Sequence, residues 1–307
     1  MDDHLRDKEA AMSLIGDVLL PGSLWFIMFS MGLSLTLSEF NRVFTHRKAL
    51  ILGMASMLFV LPVIGILAAF FLAPTAALAV GFVLLATCPG GMLSNLMTDI
   101  AKGDLALSVS LTFFVSLIYI FVVPFYAYAA TTFFLGVDEL VEIPLLESVW
   151  KVFSITLVPV TLGVIVRRYR PTWALAIKPA IKWVATTVLV IAFLFILRDQ
   201  IETLKATFGR LFLMVVITNL AALFAAFFLS IAAKISESQR TAICIEHIIR
   251  QEGTAIYIAV GILGNSEMSL PMIINTPVAL IICIAFVTGV RMRRPGLAKI
   301  GIDIKET

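Results

Sequence analysis

Apolar residues along this chain come in long runs, and polar residues fall mostly between them. Each run holds about 20–25 residues, enough helix to cross roughly 30 Å of hydrocarbon. Nine are read, over about 14–37, 49–72, 76–98, 104–135, 145–166, 180–197, 211–233, 240–263 and 270–290. Two of the nine are interrupted: the third by "CPGGMLSN" (88–95), the eighth by "IEHIIRQEG" (245–253). A segment serving span alone would read Leu, Val and Ile throughout. Pro89, Gly90 and Gly91 together free several backbone amides and carbonyls, which membrane depth tolerates only where protein or an aqueous cavity satisfies them. Packing alone accounts for Pro62, Pro124, Pro159 and Pro277, because proline is common in membrane helices.

The two interrupted runs occupy matching places in two halves, divided by the acidic stretch "GVDELVEIPLLE" (136–147). Paired broken helices in corresponding positions point to an inverted-repeat transporter with its site where the breaks cross. The expected fold is therefore an all-α polytopic membrane protein of about nine transmembrane helices, two of them broken and crossing.

Composition agrees. Of 307 residues, 60 % are hydrophobic and 14 % charged, which leaves too little polar surface for a soluble domain. Cys88, Cys244 and Cys283 all lie inside apolar runs, which argues against a disulfide framework. The net charge of +3 says little, but its distribution says more. Arg42, Arg47 and Lys48 follow the first run, Lys102 the third, and Arg167, Arg168, Arg170, Lys178 and Lys182 the fifth. Lys234 and Arg240 follow the seventh, and Arg291, Arg293 and Arg294 the ninth. That bias predicts a plasma (inner) membrane protein with its C-terminus in the cytoplasm and its N-terminus outside. The connection after the sixth run, with Arg198, Lys205 and Arg210, runs against the bias. Residues 1–12 mix acids and bases and read as a short tail.

Ionisable residues inside the runs are few, and each is costly there unless paired or ion-bound. Glu246, His247, Arg250 and Glu252 cluster in the eighth run. On continuous helix Glu246 and Arg250 are spaced i, i+4 and would pair, which gives a self-neutralising structural reading. A second reading joins Glu246 to the first break. Sodium takes hard oxygen ligands, and Ser94, Asn95, Ser108 and Thr112 supply four neutral ones beside a single carboxylate. Half-helix N-termini at the breaks suit an anion, so Gly91, Met92, Leu93, Gln251 and Gly253 are candidate substrate contacts. Arg250 is a sixth, by its planar fork.

The stretch "VGFVLLATCPGGMLSNLMTDIAKGDLALSVSLT" (80–112) resembles the signature of the bile acid:sodium symporter family. "FIMFSMGLSLTLSEF" (26–40) and "CIEHIIRQEGTAI" (244–256) are similar to further family segments in the same order. The resemblance implies cotransport of an organic anion with sodium. It implies a panel domain over 13–46 and 145–205 that moves against a core domain over 47–135 and 206–293, with a cytoplasmic tail over 294–307. It also implies that Ser94, Asn95, Ser108, Thr112 and Glu246 form the family's first sodium site. Two glutamines of the family's second site are replaced by Met57 and Arg250, a soft thioether and a fixed cation, so one sodium ion is expected. Arg250 then reads as a built-in cation held near Glu246.

The expected function is sodium-coupled symport of a small organic anion, a carboxylate or a bile-acid-like molecule. The alternative is a sodium-independent carrier, proton-linked or uncoupled, with Arg250 replacing the second sodium. An enzyme is not expected, since of His4, His46 and His247 two lie outside the runs and no metal cluster can assemble. A sensor or receptor has no feature in its favour. The expected partners are the lipid bilayer and the anion, with no nucleic acid and no obligate protein partner.

Overall fold

In a computed structural model of the chain, residues 13–35, 47–136 and 145–292 are described. Both expected tails, most of the acidic connection, His4, His46, Arg42, Arg293 and Arg294 lie outside the described residues. Among those described there is no strand. Seven helices are long and apolar enough to cross a membrane: α1 (Ile15–Gly32), α2 (Arg47–Leu72), α4 (Leu105–Leu135), α5 (Leu146–Tyr169), α6 (Pro171–Asp199), α7 (Ile201–Ala232) and α9 (Glu267–Met292). The other two apolar runs are broken helices: α3a (Ala76–Thr87) with α3b (Met92–Ile100), and α8a (Glu237–Ile248) with α8b (Glu252–Ile262). The protein is an all-α polytopic membrane protein.

Local chemistry places the ends. Thr75 and Asp104 cap α3a and α4, accepting from Leu78 N at 3.2 Å and Leu107 N at 3.0 Å. A residue before proline is pushed out of the helical region, and Cys88, before Pro89, is extended at φ −60°, ψ 138°. Pro21 and Pro62 have no N–H to return to the preceding turn, and the backbone widens into a π-turn just before each, at Ile15–Leu19 and Ser56–Val60. Pro124, Pro159 and Pro277 sit inside α4, α5 and α9.

One connection differs from expectation. Residues 198–210 are not a loop: Gln200 alone separates α6 from α7, and Arg198, Lys205 and Arg210 are helical. Glu, Lys, Arg and Leu are good helix formers, so polarity there does not stop the helix. At 32 residues α7 is about 48 Å long, well beyond the roughly 30 Å hydrocarbon thickness, and its charged first turns include the Lys205–Glu202 ion pair at 2.8 Å.

Helix α1 packs on α5 and α6, α3a packs on α2, α4 and α9, and α7 packs on α8a and α9. Only 17 % of the most apolar 18-residue stretch of α6 is buried, against 56 % for that of α4, so α6 is peripheral and α4 central. Phe70, Phe71, Phe121, Phe125 and Trp183 are exposed, as lipid-facing side chains are. The α1–α5 contact is backbone on backbone. A Cβ at Gly163 would lie 2.8 Å from Gly32 Cα and would also overlap Phe29 O. Gly163→Leu should therefore force the helices apart and destabilise the fold by about 3 kcal/mol. The check is a lowered thermal-unfolding midpoint in detergent; an unchanged midpoint would show that the contact is not needed.

Candidate functional site

The two breaks meet. Gly90 and Arg250 form an isolated antiparallel backbone bridge, and Gln251 N donates to Pro89 O at 2.8 Å. Each break thus satisfies part of the other's freed backbone, as membrane depth requires. Gly90 is needed for this approach, because a Cβ there would overlap Glu246 Oε2.

Around that junction the structure brings together all five oxygen-bearing residues singled out from the sequence. Glu246, near the end of α8a, is fully buried. Its Oε1 accepts from Ser94 Oγ of α3b at 2.6 Å and Ser108 Oγ of α4 at 2.5 Å. Thr112 Oγ1, one turn on along α4, lies 3.2 Å from Oε1 and 3.1 Å from Oε2. Ser108 Oγ also reaches Asn95 Oδ1 at 2.9 Å. The spacing explains the convergence: Ser108 and Thr112 share one face of α4, and Ser94 and Asn95 open α3b just after the break.

Two of these hydroxyls have a second acceptor within reach: Gly91 O at 2.6 Å for Ser94, Asn95 Oδ1 for Ser108. A hydroxyl has one hydrogen and two lone pairs. Either side chain can therefore turn its hydrogen away from Glu246 and offer its oxygen to an ion between them. The set is all oxygen, buried except for the partly exposed Asn95, and carries one formal negative charge, which fits a hard monovalent cation. Among the described residues no group of three His, Cys, Asp or Glu is placed to hold a metal. Thr98, buried and donating to Ser108 Oγ at 3.2 Å, extends the network and was not anticipated; its i, i+4 spacing from Ser94 is the signal that marks it. Gly90→Ala should crowd the Glu246 carboxylate and weaken sodium binding about tenfold, or about 1.4 kcal/mol. Sodium-dependent thermal stabilisation measures this, and an unaltered sodium response would remove Gly90 from the site.

The expected i, i+4 pair of Arg250 with Glu246 is absent. The two do not pair, because α8a ends at Ile248 and the extended Ile249 turns Arg250 off the helix face that i, i+4 spacing assumes. Its Nε donates to His247 O at 3.1 Å and its Nη1 to Leu85 O at 3.3 Å, while Nη2 is buried with no partner. Those carbonyls close α8a and α3a, so the guanidinium sits at two helix C-termini, where positive charge is favoured. Met57 is buried in an apolar cluster with Leu61, Leu107 and Leu111. Beside it Ser56 Oγ meets His247 Nε2, and His247 Nδ1 lies 2.8 Å from Ile243 O, so this histidine is fully hydrogen-bonded.

The candidate anion contacts line the same junction. Gly91 precedes the first turn of α3b, which Met92 and Leu93 begin, and Met92 packs against the cluster of Met28, Met31, Leu35 and Val160. Gln251 Nε2 donates to Thr254 Oγ1 at 3.3 Å and approaches Met28 Sδ at 3.3 Å. Gly253 faces Leu24 of α1 and Leu189 of α6. Helix α1 thus covers the crossing. Sequence reading gave one member of the charged cluster no role of its own: Glu252, on α8b, is bound by Asn275 and Thr276 of α9.

The model of the Sodium Bile acid symporter family matches residues 21–207, more than half of the chain. The chain is 29 % identical over 281 residues to the probable sodium/metabolite cotransporter BASS2, chloroplastic, of Oryza sativa subsp. japonica, covering 91 % of this chain and 64 % of the relative. It is 40 % identical over 89 residues to the uncharacterized sodium-dependent transporter YocS of Bacillus subtilis (strain 168), covering 29 % of this chain and 28 % of that protein. It is 24 % identical over 160 residues to the sodium/bile acid cotransporter 5 of Rattus norvegicus, covering 52 % and 36 %. The chain spans less than two thirds of the length of each of these relatives.

Proposed function

The chain belongs to the Sodium Bile acid symporter family, whose members are transporters and not enzymes, and we propose that it couples one sodium ion to the movement of a small organic anion. The observation that carries this is the buried Glu246 carboxylate bonded by Ser94, Ser108 and Thr112 from two other helices, with Asn95 held against Ser108. Sodium at that site would tie α3b, α4 and α8a together and fix the shape of the crossing. The anion sits against the opened backbone at Gly91, Met92 and Leu93 and at Gln251 and Gly253, under α1. Sodium binding therefore shapes the anion site, which is the differential affinity that coupling needs. Helices α1, α5 and α6 form the panel; the remaining helices form the core that moves against it. The charge bias of the connections supports an N-terminus outside and a C-terminus in the cytoplasm.

The test is uptake of labelled pyruvate, pantoate and taurocholate into proteoliposomes, with and without an inward sodium gradient. Sodium-driven accumulation with a hyperbolic dependence on sodium is expected. Uptake indifferent to sodium would overturn the coupling and leave a sodium-independent carrier.

A further inference from the structure

The sodium reading leaves a second buried carboxylate unused. Glu252 opens α8b and is 7 % exposed. Asn275 Nδ2 donates to its Oε1 and Thr276 Oγ1 to its Oε2. Asn219 of α7 extends the chain, donating from Nδ2 to Asn275 Oδ1 at 2.5 Å and to Val215 O at 2.9 Å. Asn219 is almost fully buried, yet its Oδ1 has no partner, and two residues before Glu252 the buried Nη2 of Arg250 has none either.

The charges around Glu252 are few. In the break just before α8b Arg250 is near but donates elsewhere, to Leu85 O and His247 O. Just past the end of α3a the nearby titratable group is the Cys88 thiol. From α7 and α9 come Asn219, Asn275 and Thr276, which carry no charge. Glu267, at the start of α9, is taken by Thr75 Oγ1 at 2.5 Å, and Asp17 of α1 and Glu147 of α5 lie towards Tyr257, farther along α8. Among the described residues no ion pair reaches the Glu252 carboxylate.

The hydrogen bonds decide what such a group can hold. A metal ion at Oε1 would face the amide hydrogens of Asn275. A proton meets no such obstacle. Thr276 has one hydroxyl hydrogen and two acceptors in reach, Glu252 Oε2 and Met272 O, the latter at 3.3 Å. With Glu252 ionised, Thr276 donates to Oε2. With a proton on Oε2, the neutral acid donates to Thr276 Oγ1, whose own hydrogen turns to Met272 O, while Asn275 still donates to Oε1. Both states leave the carboxyl fully bonded, so neither carries the penalty of an unmade buried bond.

We propose that Glu252 is a proton-carrying site, separate from the Glu246 cation site, which takes a proton from water on one side of the membrane and returns it to water on the other. The proposal rests on the transporter reading. Neutralising Glu252 leaves the Arg250 charge uncompensated at the crossing when the organic anion enters. Deprotonation restores the balance when the anion leaves. One proton thus travels with the anion, in addition to sodium.

The first test needs no substrate. Infrared difference spectra of the protein in lipid should show the carbonyl stretch of a protonated carboxyl appearing on acidification. The band should persist in Glu246→Gln and be lost in Glu252→Gln. Glutamine reproduces the protonated acid, accepting from Asn275 and donating to Thr276, so Glu252→Gln should fold and keep its sodium-dependent thermal stabilisation. A band shared equally by wild type and Glu252→Gln, or one that does not respond to pH, overturns the proposal. If wild type shows no sodium-dependent stabilisation while the Glu252 band titrates, the sodium reading fails and the proton site stands. The second test is sodium-driven uptake of pyruvate, pantoate or taurocholate, where Glu252→Gln should abolish the pH dependence of the rate and keep the sodium dependence. Identical pH profiles in the two proteins overturn it.

Discussion

Glu246→Gln should lower sodium affinity at least 100-fold while leaving the helices assembled. Glutamine has the same size and still accepts through one oxygen, so the hydroxyls of Ser94, Ser108 and Thr112 keep a partner. What it removes is the formal charge, and it turns an N–H toward the ion. Breaking a buried charge pair costs about 3–5 kcal/mol, which converts to a factor of roughly 100 or more. Thr112→Val removes one neutral ligand and should cost about tenfold. Direct binding of radioactive sodium and the sodium-dependent rise in unfolding temperature both report the loss, and sodium-driven uptake should vanish with it. A purely structural role for the network makes the opposite forecast. If Glu246 only fastens α8a to α3b and α4, the variant unfolds at lower temperature without sodium, and the response to sodium is unchanged. That pattern would refute the cation site.

How far such a site can be read from sequence depends on which interactions are local. The first break is local: Pro89 cannot donate, the residue before it must be extended, and two glycines follow, so chain opening at 88–91 is written in the residue types. Ser108 and Thr112 are equally local, since i, i+4 spacing alone puts two hydroxyls on one face of α4. The second break has no proline at all. Its polarity marked Glu246, Arg250 and Glu252 as functional, but nothing in "HIIRQ" shows that the helix stops at Ile248. Assuming continuous helix there produced the expected Glu246–Arg250 pair. In fact Arg250 turns to Leu85 O, 165 residues away. The bonds from Asn275 and Thr276 to Glu252 are likewise set by how α8b lies on α9, and no spacing pattern within either segment records that. The α6–α7 junction failed for another reason: charged residues that end a membrane span need not end a helix.

Replacing Arg250 by glutamine, alone and together with Met57→Gln, separates two roles for the guanidinium. We favour the first: Arg250 is a fixed cation at the place where the family resemblance implies a second sodium. Its donation to His247 O and Leu85 O puts positive charge against the C-terminal carbonyls of α8a and α3a, where a cation is stabilised by both helix dipoles. Arg250→Gln should then lose two charge-assisted bonds of about 1.5–3 kcal/mol each and unfold at lower temperature. In the double variant the Met57→Gln change sets an amide into the apolar surroundings of Leu61 and Leu111, where an unpartnered amide costs about 1–3 kcal/mol. On this account one sodium ion would be the partner of both introduced amides and of the two carbonyls. The double variant should therefore be unstable without sodium, be rescued by it, and show a sigmoid rather than hyperbolic sodium dependence. The competing role is a direct clamp on the substrate carboxylate through the free Nη2. On that account the double variant loses affinity for the transported anion at every sodium concentration, and its sodium curve stays hyperbolic. An unchanged sodium curve with normal anion affinity would exclude both roles and leave Arg250 as a cap on two helix ends.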